Sequence, residues 1–428
     1  MESLNSPVLF SGSTADITPV KPVHLAGYQV VRNAPFDRIN DPLEINVILL
    51  RHQERKIFIV SIDALFTSHE LKTEAIRELN RKHGENIREE DFIFNASHTH
   101  FAPPVEAGKP MLGELNNEYL LSVKEKLFHT LEQVLSEPGT PVTMHLHHFN
   151  TDHTINRRRK IINLSLRRFP SISYKNAYAP LGKKNRNGSV IEFKNRESQT
   201  VGLIWHFACH PVAFYEFNTL SADFPGAVRT KLRNSTGKNI SVCFLQGFAG
   251  DIRPRFGKLT RWDYLKSLLL LPQKIPASTE KIYAEWTLSL SRAVIECLNV
   301  NSPEIAVSRM ETAIIKKPLS EIFEGENTVN KYLYFQAVQF SDQLSIACIS
   351  AEPLIEYEDL LKGIAGKGTL LCGYTDSVHL YLPTDRQVKE GGYEADGFIP
   401  LFSLKGKFRN EVQEKIISAF KELFISWH

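Results

Sequence analysis

The chain has no apolar run able to cross a bilayer; its longest, Leu268-Leu-Leu-Leu271, falls far short of the roughly 20 residues a membrane helix needs. It has no excess of either charge: 51 basic and 48 acidic residues leave +3, which removes any global electrostatic case for nucleic acid as a partner. Cysteine is scarce, with five residues at 209, 243, 297, 348 and 372. That odd, dispersed set without a CxxC pair argues for reduced, buried thiols rather than a disulfide framework. No repeat, low-complexity tract or Gly/Ser linker divides the 428 residues, so 1–428 is expected to be one catalytic-sized unit. The N-terminus, Met1-Glu-Ser-Leu-Asn-Ser-Pro-Val-Leu-Phe10, lacks the basic and apolar regions of a secretory signal, and a cytoplasmic protein is expected. The local basic clusters, Arg157-Arg158-Arg159-Lys160 and Lys183-Lys184-Asn185-Arg186, have the composition of solvated loops.

What is present is an alternation of strand-like and helix-like segments. Apolar or alternating runs at 44–50, 56–62, 92–95, 142–148, 202–208, 240–245, 333–340, 344–349 and 369–372 predict strands. Helical periodicity covers 68–83, 117–135, 278–298, 353–362 and 409–424, the first with Ser68 as N-cap. The pattern predicts an α/β fold with mixed β-sheets flanked by helices, layered α/β/β/α. The leucine-rich stretch 258–278 has no clear place in the alternation and is either a core helix or a lid over an active site.

The segment Asn95-Ala-Ser-His98-Thr-His100-Phe-Ala-Pro-Pro104 places two imidazoles at i and i+2 directly after the apolar run 91–94. On a strand that spacing puts both rings on one side, a common half of a metal site, although a His-x-His pair is also often just hydrogen-bonded structure. A second strand ends the same way, Trp205-His206-Phe-Ala-Cys-His210-Pro211. His206 and His210 would lie about 13 Å apart on an extended chain, too far to share an ion at zinc–nitrogen distances of about 2 Å. His210, at the strand's end, is favoured. The following Ser221-Ala-Asp223-Phe-Pro-Gly226 and Gly250-Asp251-Ile-Arg253-Pro-Arg255 read by themselves as turns and caps.

In order and content these motifs resemble the catalytic domain of the neutral, non-lysosomal ceramidases, a family of zinc-dependent amidases. The likeness runs through Ala15-Asp-Ile-Thr-Pro19, Gly27-Tyr28, Val60-Ser-Ile-Asp63, Ala96-Ser-His98-Thr-His100 and Ile155-Asn156-Arg157. It continues in Phe207-Ala-Cys-His210, Ser221-Ala-Asp223, Gly250-Asp251-Ile-Arg-Pro254, Ala351-Glu352 and the stretch from Tyr381 to Tyr393-Glu394. The resemblance implies a Zn2+ ion held by His98, His210, Glu352 and Tyr381, and His100, Arg157 and Tyr393 as catalytic groups facing the reacting amide. Taken without it, Glu352 reads as a cap on the helix after Pro353, Tyr381 as a packed aromatic, Arg157 as part of a basic surface run and Tyr393 as part of a Gly-Gly turn.

The sequence departs from the family's Gly-Asp-Val-Ser-Pro-Asn hexapeptide at Arg253 and Arg255, so Asp251, Arg253 and Arg255 are expected at the substrate, the two cations suiting a carboxylate or phosphate. Phe101-Ala-Pro-Pro104 replaces the family's glycine-rich turn. With the last predicted helix at 409–424, no room is expected for the immunoglobulin-like domain of full-length ceramidases. The expected activity is hydrolysis of a carbon–nitrogen amide bond in a small-molecule or lipid-like N-acyl compound, ceramide included. An ester or lactone hydrolase, an amide-condensing enzyme, and a zinc-stabilised binding protein without turnover are the alternatives. No nucleic-acid partner is expected, and the oligomeric state is open.

Overall fold

The computed structural model describes residues 7–28, 32, 34–165, 168–237, 239–308, 310–366 and 368–425. Runs of branched and aromatic residues make most of the core strands, because such side chains pack well on a pleated surface. Eight of them form the larger sheet: β1 (Val8–Asp16), β2 (Glu44–His52), β3 (Arg55–Ile62), β4 (Phe92–Ala96), β5 (Thr140–Asn150), β6 (Asn187–Lys194), β7 (Thr200–Phe207) and β8 (Ser241–Gln246). Their spatial order is β8-β7-β6-β5-β1-β2-β3-β4. The second sheet comprises β9 (Glu311–Pro318), β10 (Tyr332–Ser341), β11 (Leu344–Ile349) and β12 (Thr369–Cys372), in chain order across the sheet.

Both faces of the larger sheet are covered, which is why β2 and β3 read as nearly continuous apolar runs. Ile48, Leu50, Ile57, Ile59 and Ile93 face Val338, Phe340 and Ile346 of the second sheet in one core. On the opposite face, Val47, Leu49, Phe58 and Phe94 meet helices α1 (His69–His83) and α2 (Asn117–Ser136). Trp205 and Phe207 meet α3 (Asp223–Thr236) and, across α4 (Arg261–Leu268) in the chain, α5 (Glu280–Leu298). The outer face of the second sheet is closed by α6 (Glu356–Ala365) and by the helix Val412–Ile425 through Leu361, Ile416 and Phe420. The layers are therefore α/β/β/α, as the sequence pattern predicts. Ser68 caps α1 by accepting a hydrogen bond from the Leu71 amide at 3.1 Å.

The ends of the larger sheet come together. Ser61 Oγ donates to the Phe244 carbonyl at 2.8 Å, and Asn95 Oδ1 accepts from the Gln246 amide at 3.0 Å. The carboxyl ends of β4, β7 and β8 thus converge on one spot, where α/β sheets usually bind ligands.

Two segments differ from expectation. Arg157-Arg158-Arg159 is no solvated loop: the three are 6%, 7% and 1% exposed within the hairpin Thr154–Ser165 and Arg168–Ala179, which takes Ile252–Pro254 as its third strand. Burial is possible because Glu394 bridges Arg157 and Arg158, while Arg159 donates to the Leu271 carbonyl at 2.7 Å. The stretch 258–278 is not a core helix; only α4 is helical, and Leu268, Leu269 and Trp262 are exposed. It is tied to the outer hairpin, where Ile162 N donates to the Leu270 carbonyl at 3.1 Å. All five cysteines are free and buried. Among the described residues, no helix is long and apolar enough to cross a membrane.

Candidate metal centre

His98 stands just past β4 with a left-handed backbone, φ 66°, of the kind that marks functional turns. Its Nδ1 donates to the Leu65 carbonyl at 2.8 Å. His210 stands past β7, its amide donating to the Ile252 carbonyl and its Nδ1 to the Ala249 carbonyl, both at 2.9 Å. With the Nδ1 protons committed to carbonyls, each Nε2 presents a lone pair. These two nitrogens face each other at 3.1 Å. The Glu352 Oε2 lies 3.3 Å from His98 Nε2 and 3.7 Å from His210 Nε2, and it is buried without a hydrogen-bond partner. Three converging lone-pair donors, sealed from water, repel one another unless a cation sits among them.

Glu352 is not a helix cap, since α6 begins four residues later. It lies in a short parallel bridge with Tyr381, in register Glu352↔Tyr381, its amide donating to the Leu380 carbonyl at 3.0 Å. Gly250 is packed against that bridge: a Cβ there would meet the Glu352 carbonyl oxygen at 2.8 Å, so a side chain would push the loop off the carboxylate. The Tyr381 ring lies parallel to that of His210 at 6.4 Å, and its hydroxyl accepts from Arg157 Nη2 at 3.1 Å. Burial first, then the Glu352 charge, pushes the Tyr381 phenol well above its ordinary value. Tyr374, absent from the sequence-based set, packs its ring 4.4 Å from that of His98.

The outer wall is different. His100 lies 5.0 Å from His98 and 5.3 Å from His210 by ring centres, and among the described residues both its buried ring nitrogens are unpartnered. Ligand atoms of His98, His100 and His210 all fall within 4.8 Å of one another. Burial, then the charges of His98 and of Arg32, Arg157 and Arg253, hold His100 well below the usual imidazole range. Gly27, at φ +92°, passes so close that a Cβ would lie 2.3 Å from His100 Nδ1. The next residue, Tyr28, places its ring 5.0 Å from that of His100. Arg32 Nη1 donates to the carbonyls of Ala26 and His100, at 2.8 and 2.7 Å, and so fixes this turn. Arg157 Nε donates to Glu394 at 2.8 Å, and its guanidinium lies 5.6 Å from the Tyr393 ring centre. Tyr393 is pushed up to about 12, chiefly by burial and against the pull of Arg157.

The hexapeptide divides. Asp251 accepts from Asn156 Nδ2 at 2.7 Å and from the Ile355 amide at 2.8 Å, and its carbonyl accepts from the Arg157 amide. It therefore joins the Arg157 strand to the segment after Glu352. Arg255, expected beside Arg253, turns away: its Nε donates to the Asp152 carbonyl at 2.7 Å and its Nη1 to that of Gly257. Arg253 alone faces the site, with Tyr28, Arg157 and His100 as electrostatic neighbours. His206 points elsewhere, its Nε2 on the Leu371 carbonyl. Asp223 accepts from the Ala213 and Phe224 amides, at 2.8 and 2.6 Å, and so ties the loop after His210 to α3.

No family model and no curated protein matches the chain. Solved structures do. A neutral ceramidase from Pseudomonas aeruginosa superposes with a TM-score of 0.77 at 14% identity, over 99% of this chain and 75% of that one. A ceramidase complexed with C2 gives 0.76 at 12% identity over the same shares. The chain therefore has the neutral ceramidase fold.

Proposed function

We propose that the chain is a zinc-dependent hydrolase of a carbon–nitrogen amide bond, with His98, His210, Glu352 and Tyr381 holding the ion. The observation that carries this reading is the 3.1 Å approach of two Nε2 atoms, each free to offer a lone pair while its ring's Nδ1 serves a carbonyl, beside an unpartnered buried carboxylate oxygen. Two imidazoles, a carboxylate and a phenol form a mixed nitrogen–oxygen set suited to zinc, unlike the all-Cys/His sites of structural zinc. Bound there, zinc would supply a Lewis acid for a carbonyl oxygen and a lower pKa for water.

His100 is read as a proton carrier and not as a ligand. Ligating histidines are normally oriented by a hydrogen bond from the second ring nitrogen, and His100 has none. Its free nitrogens can pass a proton from water to the departing amine. Tyr393, with a phenol near 12, stays protonated at neutral pH and can donate to the carbonyl oxygen as that atom gains charge. Arg157 holds Tyr381 and, through Glu394, is itself held in place. The fold likeness adds support for an amide substrate, and the same groups would serve an ester.

Metal analysis together with hydrolysis of N-acyl amino acids, N-acyl amines and ceramide tests the reading. About one zinc per chain with turnover of at least one amide is expected. Zinc with no turnover of any acyl substrate would identify a binding protein instead.

A further inference from the structure

The buried arginines of the described residues are nearly all answered. Arg229 pairs with Asp63 and Glu44, Arg157 with Glu394, and Arg158 with Glu394 and Glu390. Arg159 donates to carbonyls and to Ser267, and Arg32 is partly answered, its Nη1 donating to two carbonyls and its guanidinium lying between the Tyr28 and Phe101 rings while Nε and Nη2 are buried without acceptors. Arg253 is the exception. Among the described residues it has no carboxylate, carbonyl or hydroxyl partner, and its Nε is buried without an acceptor. The strand register Arg253↔Ile155 and the hydrogen bond from Arg157 N to the Asp251 carbonyl hold it rigidly beside the catalytic strand. Of its titratable neighbours, Arg157 is a cation, while Tyr28, Tyr178 and Cys209 are acids that burial holds above their ordinary values, so no carboxylate is among them.

Leaving a cation half-buried and unpaired costs stability, so a site that keeps one is shaped for an anion that arrives with the ligand. Resting on the amide-hydrolase reading, we propose that Arg253 binds a carboxylate carried by the substrate, so that the preferred substrates are amides with a free carboxylate near the scissile bond. Phe217, exposed at 54% with its ring 5.1 Å from that of Tyr28, offers an apolar lip for the acyl or alkyl part. The reaction balances as hydrolysis: water gives hydroxyl to the acyl carbon and hydrogen to the nitrogen, and the carboxylate on Arg253 is unchanged.

The test compares matched pairs, one with the carboxylate on the amine side, N-dodecanoylglycine against N-dodecanoylglycinamide, and one on the acyl side, N-dodecylsuccinamic acid against N-dodecylsuccinamide. In at least one pair the acid is expected to lead in kcat/KM by about 30-fold or more. Arg253→Met should bring that ratio to within about threefold, mainly through KM, and Arg253→Lys should restore part of it. Calorimetric binding of the same acids to chelator-stripped protein gives a readout free of turnover, with affinity falling at least about tenfold in Arg253→Met. Neutral and acidic members turning over equally, or a preference that survives Arg253→Met, overturns the carboxylate site while leaving the amidase intact. If no amide is turned over, the hydrolase reading fails, and the calorimetric arm still decides whether Arg253 binds the anion.

Discussion

At the inner end of the site, His98 and His210 each commit Nδ1 to a backbone carbonyl, and their Nε2 atoms meet beside Glu352 with essentially no solvent exposure. At the outer end, among the described residues, His100 has two buried, unpartnered ring nitrogens and Arg253 has no hydrogen-bonding partner, and neither residue is fully buried. The inner groups are positioned by the fold before any ligand arrives, whereas the outer ones are left for a ligand to complete. A site built this way separates holding an ion from choosing a substrate, so changes at the two ends should fail differently.

The largest expected effect is at the inner end. His98→Ala or His210→Ala should abolish hydrolysis and lower bound zinc from about one per chain to near zero. Full activity of either variant with no metal would sink the ligand assignment. Glu352→Gln keeps the shape but removes the charge, and should weaken metal affinity by about 10- to 100-fold, read by competition with a chromogenic chelator. The next contrast is in stability. Arg157→Met leaves Glu394 with Arg158 alone and should cost about 1–3 kcal/mol in chemical denaturation, whereas Arg253→Met removes an unpaired cation and should gain about 1 kcal/mol. A loss for Arg253→Met as large as that for Arg157→Met would mean that Arg253 has a structural partner. The smallest effect is expected at Arg255, whose guanidinium is occupied by the Asp152 and Gly257 carbonyls; Arg255→Met should change kcat/KM by less than about threefold.

The nine expected strands are present, because strands covered on both faces carry continuous apolar runs that survive any reading frame. The hairpin Thr154–Ala179 was illegible for the opposite reason. Its burial comes from Glu394 and from carbonyls distant in sequence, and a run of arginines looks solvated until those partners are known. The start of α3 was masked by Pro225-Gly226, which reads as a turn although proline is tolerated in a helix's first turn. Within the site, the His-x-His spacing pointed to His98, but His210, Glu352 and Tyr381 meet it only through the closure of the sheet and the bridge between Glu352 and Tyr381. Tyr374 and Arg32 carried no local signal: each acts through a contact more than 60 residues away, Tyr374 on the His98 ring and Arg32 on the His100 carbonyl.

Zinc K-edge X-ray absorption of the chelator-stripped protein reloaded with one equivalent of zinc tests the central claim most directly. Two imidazole nitrogens with oxygen donors making up the rest of the shell is the predicted result; three imidazoles, which would bring His100 into the ligand set, or no retained zinc, would contradict it.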